Sequence, residues 1–226
     1  MFVGVKSMSP KLALFAQFAA VAKSLAHASR LELLEQLAQG ERSVEALAER
    51  TGLSVANTSQ HLQQMRRTGM VSARRDGKFV FYALADEAVL DLVSALRRIA
   101  ERNVAEVDRV IRSYFDDRDN LEPMSRKELL KRSRAGTVTV LDVRPPDEYA
   151  MGHLRGAVSV PLRELEARLA DFDPSQEIVA YCRSHYCVLS YEAVAALRAR
   201  GFKVRRLEDG FPEWRAAGLP VATGPA

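Results

Sequence analysis

Cysteine is nearly missing from this chain. Two occur among 226 residues, at positions 182 and 187, and the first 181 positions hold none. That excludes a disulfide framework as the basis of folding, and a close pair of thiols points to redox or metal chemistry instead. No apolar run approaches the length of a membrane span. The opening Met1-Phe2-Val3-Gly4-Val5-Lys6 lacks the charged start and long apolar region of a signal peptide. The expectation is a cytoplasmic protein with no membrane partner, in a compartment where thiols stay reduced. Internal repeats and low-complexity tracts are absent too, and the net charge of +4 is mild. Only locally is charge one-sided: between Ser54 and Val80 five basic residues (Arg66, Arg67, Arg74, Arg75, Lys78) face one acid, Asp76.

What the chain does contain suffices for two modest cores, with 47% hydrophobic residues. Leu31, Leu33, Leu34 and Leu37 share one helical face that Gly40 ends. Ser43 predicts an N-cap for a helix over 44–50, closed by Thr51-Gly52, and Ser54 opens another running to Thr68-Gly69. Two short helices around a glycine-containing turn form a helix-turn-helix. Two β-prone runs follow, 70–75 and 78–84, with Asp76-Gly77 between them, which predicts a hairpin, the wing of a winged helix.

From Asp86 to about Phe115 the spacing predicts one long helix, with Val89, Leu92, Val93, Leu96, Ile99, Val107, Val110 and Ile111 on an apolar stripe. Such a stripe implies a homodimer, the alternative being packing inside one chain against Leu12, Leu14, Phe15 and Phe18. Residues 1–117 thus form a winged helix-turn-helix and dimerisation domain. A polar linker follows at 118–124. Ser125 with Glu128 predicts a capping box opening a second domain over 125–226. There short apolar runs (138–143, 178–181, 204–207) alternate with helical ones (162–172, 188–200, 212–217). The fold class is therefore two domains, mainly helical and then α/β with a mainly parallel sheet, whose chemistry sits at the carboxyl ends of strands.

Each domain carries a candidate site. In the helix that Ser54 opens, Leu62 and Met65 must face the core, which turns Ser54, Asn57, Gln60 and Gln64 outward. Asn and Gln pair bidentately with adenine in the major groove of double-stranded DNA, and the Val55 methyls suit a thymine methyl. Arg66, Arg67, Arg74, Arg75 and Lys78 would hold phosphates or reach the minor groove. In the second domain, Cys182-Arg183-Ser184-His185-Tyr186-Cys187 joins an apolar strand to a helix. Backbone N–H groups and the helix dipole there favour an anion, and so a reactive Cys182 thiolate. Cys187 reads either as a resolving thiol that turns a Cys182 persulfide into a disulfide or a polysulfide bridge, or as a small buried residue at the first turn of the helix. Three ligands in Cys182, His185 and Cys187 make a poor zinc site, so no metal and no cofactor is expected.

Residues 25–84, with Leu-Ser-Val-Ala-Asn-Thr-Ser-Gln-His-Leu at 53–62 and the Gly69-Met70-Val71 exit, resemble the winged-helix repressors of the ArsR/SmtB family. The resemblance places Ser54, Val55, Asn57, Ser59 and Gln60 on base-reading positions and His61 on the second residue of a common His-His pair. Where arsenic and cadmium sensors of that family carry Cys-Val-Cys, this chain has Ser43-Val44-Glu45, and its long last helix holds neither Cys nor His. Soft-metal sensing in the helical domain is thereby disfavoured. Residues 123–221 are similar to the rhodanese family through Leu141-Asp142-Val143-Arg144, Gly152–Val158, the Cys182 loop and Asp209–Trp214. That resemblance implies a persulfide on Cys182, an anionic sulfur donor met by Arg183, and Asp142 and Arg144 at a neighbouring strand end. Ser184 and His185 replace a Gly and Pro common in the family loop. Val188 stands where related phosphatases need an Arg, which disfavours phosphatase activity. The expected function is a DNA-binding regulator, a repressor, whose rhodanese domain senses or transfers sulfane sulfur with a small donor or acceptor. The alternatives are a sulfurtransferase using the winged helix for dimerisation, and a metal- or arsenic-responsive repressor.

Overall fold

The computed structural model describes residues 9–116 and 123–225. Of the expected linker 118–124, residues 118–122 lie outside the described residues, as do Met1–Lys6. The described residues fall into two compact units. One runs to Leu37 and then from Glu41 to Val89. The other comprises Ala38–Gly40 and everything from Leu90 onward.

In the first unit, Ser9 caps α1 (Pro10–Ser24), whose first position is proline, where a missing N–H costs nothing. Helix α2 (Ala28–Gln39) buries Leu33, Leu34 and Leu37 as its period requires. Strand β1 (Arg42–Ser43), which two residues of sequence cannot announce, pairs antiparallel with β3. Ser43 then caps α3 (Val44–Thr51) by accepting from Ala46 N, and Gly52 ends it with φ 66°. Ser54 caps α4 (Val55–Arg67) in the same way, accepting from Asn57 N. Strands β2 (Val71–Asp76) and β3 (Phe79–Leu84) form the wing. Asp76 pairs with Phe79, so the two central turn residues are Gly77 and Lys78, not Asp76 and Gly77. The positive φ falls on Gly77 alone, the pattern of a turn with glycine at its first central position. Leu47, Leu62 and Met65 are fully buried, tying α3 and α4 into one core.

The expected single helix over 86–115 is divided. Asp86 does cap its start, its carboxylate accepting from Ala88 N, and α5 runs Ala88–Asn103. Val104 is then extended (φ −113°, ψ 103°), α6 restarts at Ala105–Val110, and a π-helical turn covers Ile111–Asp116. The break follows from local chemistry. The Asn103 amide donates to Ile99 O at 2.9 Å, offering the backbone an alternative to the helix ladder, and β-branched Val104 follows.

In the second unit, Ser125 caps α7 (Arg126–Arg134), accepting from Glu128 N. The Glu128 carboxylate turns instead to Arg205, an ion pair that outcompetes the return half of the expected box. There follow β4 (Val138–Asp142), α8 (Pro146–Met151), β5 (His153–Leu154), β6 (Val158–Ser159), β7 (Glu177–Tyr181), α9 (Val188–Ala199), β8 (Val204–Arg206), α10 (Phe211–Ala216) and β9 (Val221–Ala222). The expected helix over 162–172 is two 3₁₀ turns, Leu162–Glu164 and Leu169–Asp171. The main sheet has order β6-β4-β7-β8 with every pairing parallel, and β5 pairs antiparallel with β9. Along β7, Ile178 and Ala180 join one apolar cluster while Val179 and Tyr181 join another. Both faces of the sheet are therefore covered, as a parallel sheet demands, and the ends of β4 and β7 lie side by side.

Candidate functional site

In the first unit the outward face of α4 carries Val55, Asn57, Gln60 and Gln64, all exposed, while Thr58, Leu62 and Met65 hold the helix to the core. Ser54 is exposed as well, but its hydroxyl oxygen is occupied as the cap. Ser59 is half-buried and accepts from Gln63 Nε2. Arg66, Arg67, Arg75 and Lys78 are exposed. Arg74 is exposed yet matched by two acids, Glu41 at 2.8 Å and Asp76 at 3.1 Å, and those partners raise its pKa further above the usual arginine range.

His61 is half-buried. Arg30 Nε donates to its Nδ1 at 3.3 Å, and the Arg30 guanidinium also reaches Gln64 Oε1. His27 is the partner that sequence does not reveal, its ring centroid 4.5 Å from that of His61. Burial first, then His27 and Arg30, push the His61 pKa below its ordinary value.

In the second unit, Cys182 follows directly on β7 and Cys187 occupies the N-cap of α9. The two sulfurs are joined as a disulfide across the four residues Arg183–Tyr186. Both cysteines are buried in the sheet's apolar cluster. Three side chains of the loop are anchored, those of Arg183, His185 and Tyr186. The Arg183 guanidinium forms a two-pronged pair with Glu148, Nη2–Oε1 at 2.8 Å and Nε–Oε2 at 2.9 Å. His185 Nδ1–H donates to Glu208 O at 2.6 Å, and burial holds its pKa low. Tyr186 Oη donates to Glu101 at 3.0 Å, and Phe211 N donates to Cys182 O at 3.0 Å. A Cβ on Gly210 would collide with the backbone of Arg183 and Ser184, so only glycine lets the start of α10 lie against the loop.

Asp142, the last residue of β4, and Arg144 just after it are fully buried. Arg144 Nη2 donates to Asp142 Oδ2 at 2.6 Å and to Gly152 O at 2.7 Å, and Nε donates to Asp142 Oδ1 at 3.0 Å. Tyr181 Oη donates to Asp142 and accepts from Leu154 N. Burial, with the Asp142 charge second, drives the Tyr181 phenol pKa well up, so it stays a donor. The network ties the ends of β4 and β7 to β5. His153 stacks on Tyr149 at 3.6 Å and donates from Nδ1 to Tyr149 O.

Glu148, Glu101 and Gly210 escape sequence reasoning as loop partners. Glu148 and Glu101 look like ordinary surface acids on helices. The Asp209-Gly210-Phe211 run held the one available signal, a glycine at a helix entry. Among the described residues no group of three His, Cys, Asp or Glu could hold a metal ion, and no single helix is long and apolar enough to cross a membrane.

Two family models match separate parts of the chain. Residues 27–73 match the family model described as bacterial regulatory protein, arsR family, and residues 125–217 match the rhodanese-like domain. The HTH-type transcriptional regulator Rv0324 of Mycobacterium tuberculosis is 44% identical over 95% of this chain and 94% of its own length. A sulfurtransferase of Allochromatium vinosum is 34% identical over 42% of this chain and 89% of its own length. The homodimeric winged helix-turn-helix DNA-binding domain from Mycobacterium bovis, solved in solution, is 39% identical. It covers 45% of this chain and 94% of that one, at a TM-score of 0.40.

Proposed function

Because the chain belongs to the ArsR-family transcriptional regulators and carries a rhodanese-like domain fused behind the winged helix, we propose that it is a sulfane-sulfur-responsive repressor. It binds double-stranded operator DNA as a cytoplasmic homodimer, with α4 in the major groove and the wing on the backbone. Supporting the DNA reading are exposed Asn57, Gln60 and Gln64 on one helix face, with Arg66, Arg67, Arg75 and Lys78 beside it. Supporting dimerisation are large apolar side chains left exposed on α1 (Leu12, Leu14, Phe15, Phe18) and on α5 (Leu92, Leu96, Ile99).

The single observation that carries the sulfur reading is the bond between Cys182 and Cys187. The Cys182 thiolate attacks the zero-valent sulfur of a small donor R–S–S⁻, and R–S⁻ leaves, giving a Cys182 persulfide. The Cys187 thiolate then attacks the Cys182 sulfur of that persulfide and hydrosulfide leaves. The two cysteines are oxidised to the disulfide, and the transferred sulfur is reduced to hydrosulfide. The donor supplies the oxidising equivalent, so no further oxidant is required. A sulfur carrier that turns over repeatedly would be removed from service by that disulfide, which favours sensing over transfer.

The test is operator binding by fluorescence anisotropy, with DNA from the protein's own upstream region, before and after inorganic polysulfide, and intact mass on the same samples. The wild type is expected to lose two hydrogens and change affinity, while Cys182→Ser does neither. Unchanged affinity in a wild type whose cysteines have reacted overturns sensing.

A further inference from the structure

Of the four residues between the cysteines, Tyr186 stands next to Cys187. Its hydroxyl donates to Glu101 Oε1 at 3.0 Å. Glu101 lies on α5, which leaves the wing four residues after β3 ends and enters the second unit at Leu90. One turn earlier on α5, Arg97 Nε meets the same Glu101 oxygen at 3.4 Å, and its Nη1 lies 3.8 Å from Glu213 on α10. Glu213 accepts from Gly210 N, Gly210 lies against Arg183 and Ser184, and Phe211 N holds Cys182 O. The contacts therefore close a ring that starts at Cys182, passes through Tyr186, Glu101, Arg97, Glu213 and Gly210, and returns to Cys182. The Phe115 ring completes the seat, 5.1 Å from the Tyr186 ring and 4.7 Å from that of Tyr191.

This ring has a physical consequence. With the sulfurs joined, Tyr186 is bound covalently through its neighbour to the end of β7, and its hydroxyl is fixed on a carboxylate. A hydrogen bond to a charged acceptor is stronger than a neutral one, and half-burial of both groups strengthens it further. Opening the sulfur bond frees Cys187 and with it the residue beside it, so the phenol and the carboxylate no longer share one constraint. We infer that Glu101 and Tyr186 are the contact through which the sulfur state of the cysteine pair reaches α5, an inference that rests on the sulfur-sensing function proposed above. Glu101 is then a positioning residue of the sulfur site that lies outside the rhodanese-like segment. Coupling of this kind is reciprocal, so operator DNA must also change the reactivity of the thiols.

The experiment uses full-length protein: wild type, Tyr186→Phe, Glu101→Ala and Glu101→Gln. Operator affinity is read by anisotropy before and after inorganic polysulfide, intact mass reports the cysteine reaction, and thermal melting confirms folding. In the wild type the affinity changes by about tenfold or more. In Tyr186→Phe and Glu101→Ala the cysteines react as in the wild type, but the affinity change falls below about twofold. Glu101→Gln, which still accepts from the phenol, recovers the response, as a merely structural glutamate would not require. A response of wild-type size in both Tyr186→Phe and Glu101→Ala overturns the inference and leaves sulfur sensing standing. Reacted wild-type cysteines with unchanged affinity overturn sulfur sensing, and the inference falls with it.

Discussion

Arg183 and Glu148, 35 positions apart, meet in a two-pronged ion pair in which the carboxylate is fully buried and the guanidinium only slightly exposed. The positive charge that the loop sequence assigns to an anionic sulfur donor is therefore already matched. A dianion such as thiosulfate meets little net attraction beside Cys182. Glu148→Gln keeps the shape and removes the opposing charge. We expect it to raise the rate of cysteine modification by thiosulfate about fivefold. The rate with an uncharged organic trisulfide should stay within about twofold, because charge plays no part in its approach. Mass spectrometry over time checks both, and equal acceleration of the two donors would show that Glu148 controls access, not charge.

Truncating the other partner has a different effect. Arg183→Ala leaves the Glu148 carboxylate inside the fold without this counter-charge. Breaking a buried pair from one side costs about 3 kcal/mol, and denaturant unfolding of the second unit should show a loss of that order. A loss below about 0.5 kcal/mol would mean that the pair is screened as a surface pair is.

Cys187 decides whether the sulfur stays. In Cys187→Ser the persulfide on Cys182 has no internal thiolate to resolve it. Intact mass after inorganic polysulfide should show a gain of one sulfur atom, where the wild type shows the loss of two hydrogens. Removing excess donor and adding a thiol reductant should return both to the starting mass. A lasting persulfide in the wild type would show Cys187 to be a packing residue at the start of α9.

Much of this molecule is legible in its sequence because local signals and tertiary packing agree. Ser43, Ser54 and Ser125 stand where N-caps are needed, and each hydroxyl oxygen accepts from the backbone three residues on. The alternation of short strands and helices after Val138 announces a parallel sheet, and Cys182 does follow the end of a strand in that sheet. The misreadings share a cause. The apolar stripe over 86–115 continues through Val104, so periodicity cannot see a break made by the Asn103 side chain. Leu162 to Phe172 has helical composition, yet it closes as two isolated 3₁₀ turns. The partners of the loop are 23 to 85 positions distant, at Glu208, Glu148 and Glu101, and pairings of that separation leave no trace in spacing.

The wing offers a prediction with an unusual sign. Arg74 is held by Glu41 and Asp76, all three exposed. A surface pair of this kind adds little to the stability of the fold, so releasing the arginine costs little. Glu41→Gln should tighten operator binding about two- to fivefold and steepen its salt dependence by about one phosphate contact. By contrast, Asn57→Ala or Gln60→Ala should cost about 1–3 kcal/mol on the operator and little on unrelated DNA. Competition anisotropy at several salt concentrations separates the two effects. Weaker binding in Glu41→Gln would place Arg74 outside the DNA contact.

Acidification should weaken the first unit through His61. Burial, the His27 ring and the Arg30 guanidinium hold its pKa below the usual histidine value of about 6.5. In the unfolded chain the ring titrates near that value and so takes up a proton before the folded ring does. Stability is then complete above about pH 6.5, and it falls as the pH drops from there through the folded pKa, because the unfolded state binds more protons. His61→Gln removes the titration and still offers Arg30 an oxygen. Melting temperature measured between about pH 8 and about pH 5 should fall less steeply in the variant than in the wild type. The slope is expected to flatten without vanishing, since His185 in the second unit is held low by burial and acts with the same sign. Parallel curves for the two proteins would show that the Arg30–His61 contact does not depend on the proton.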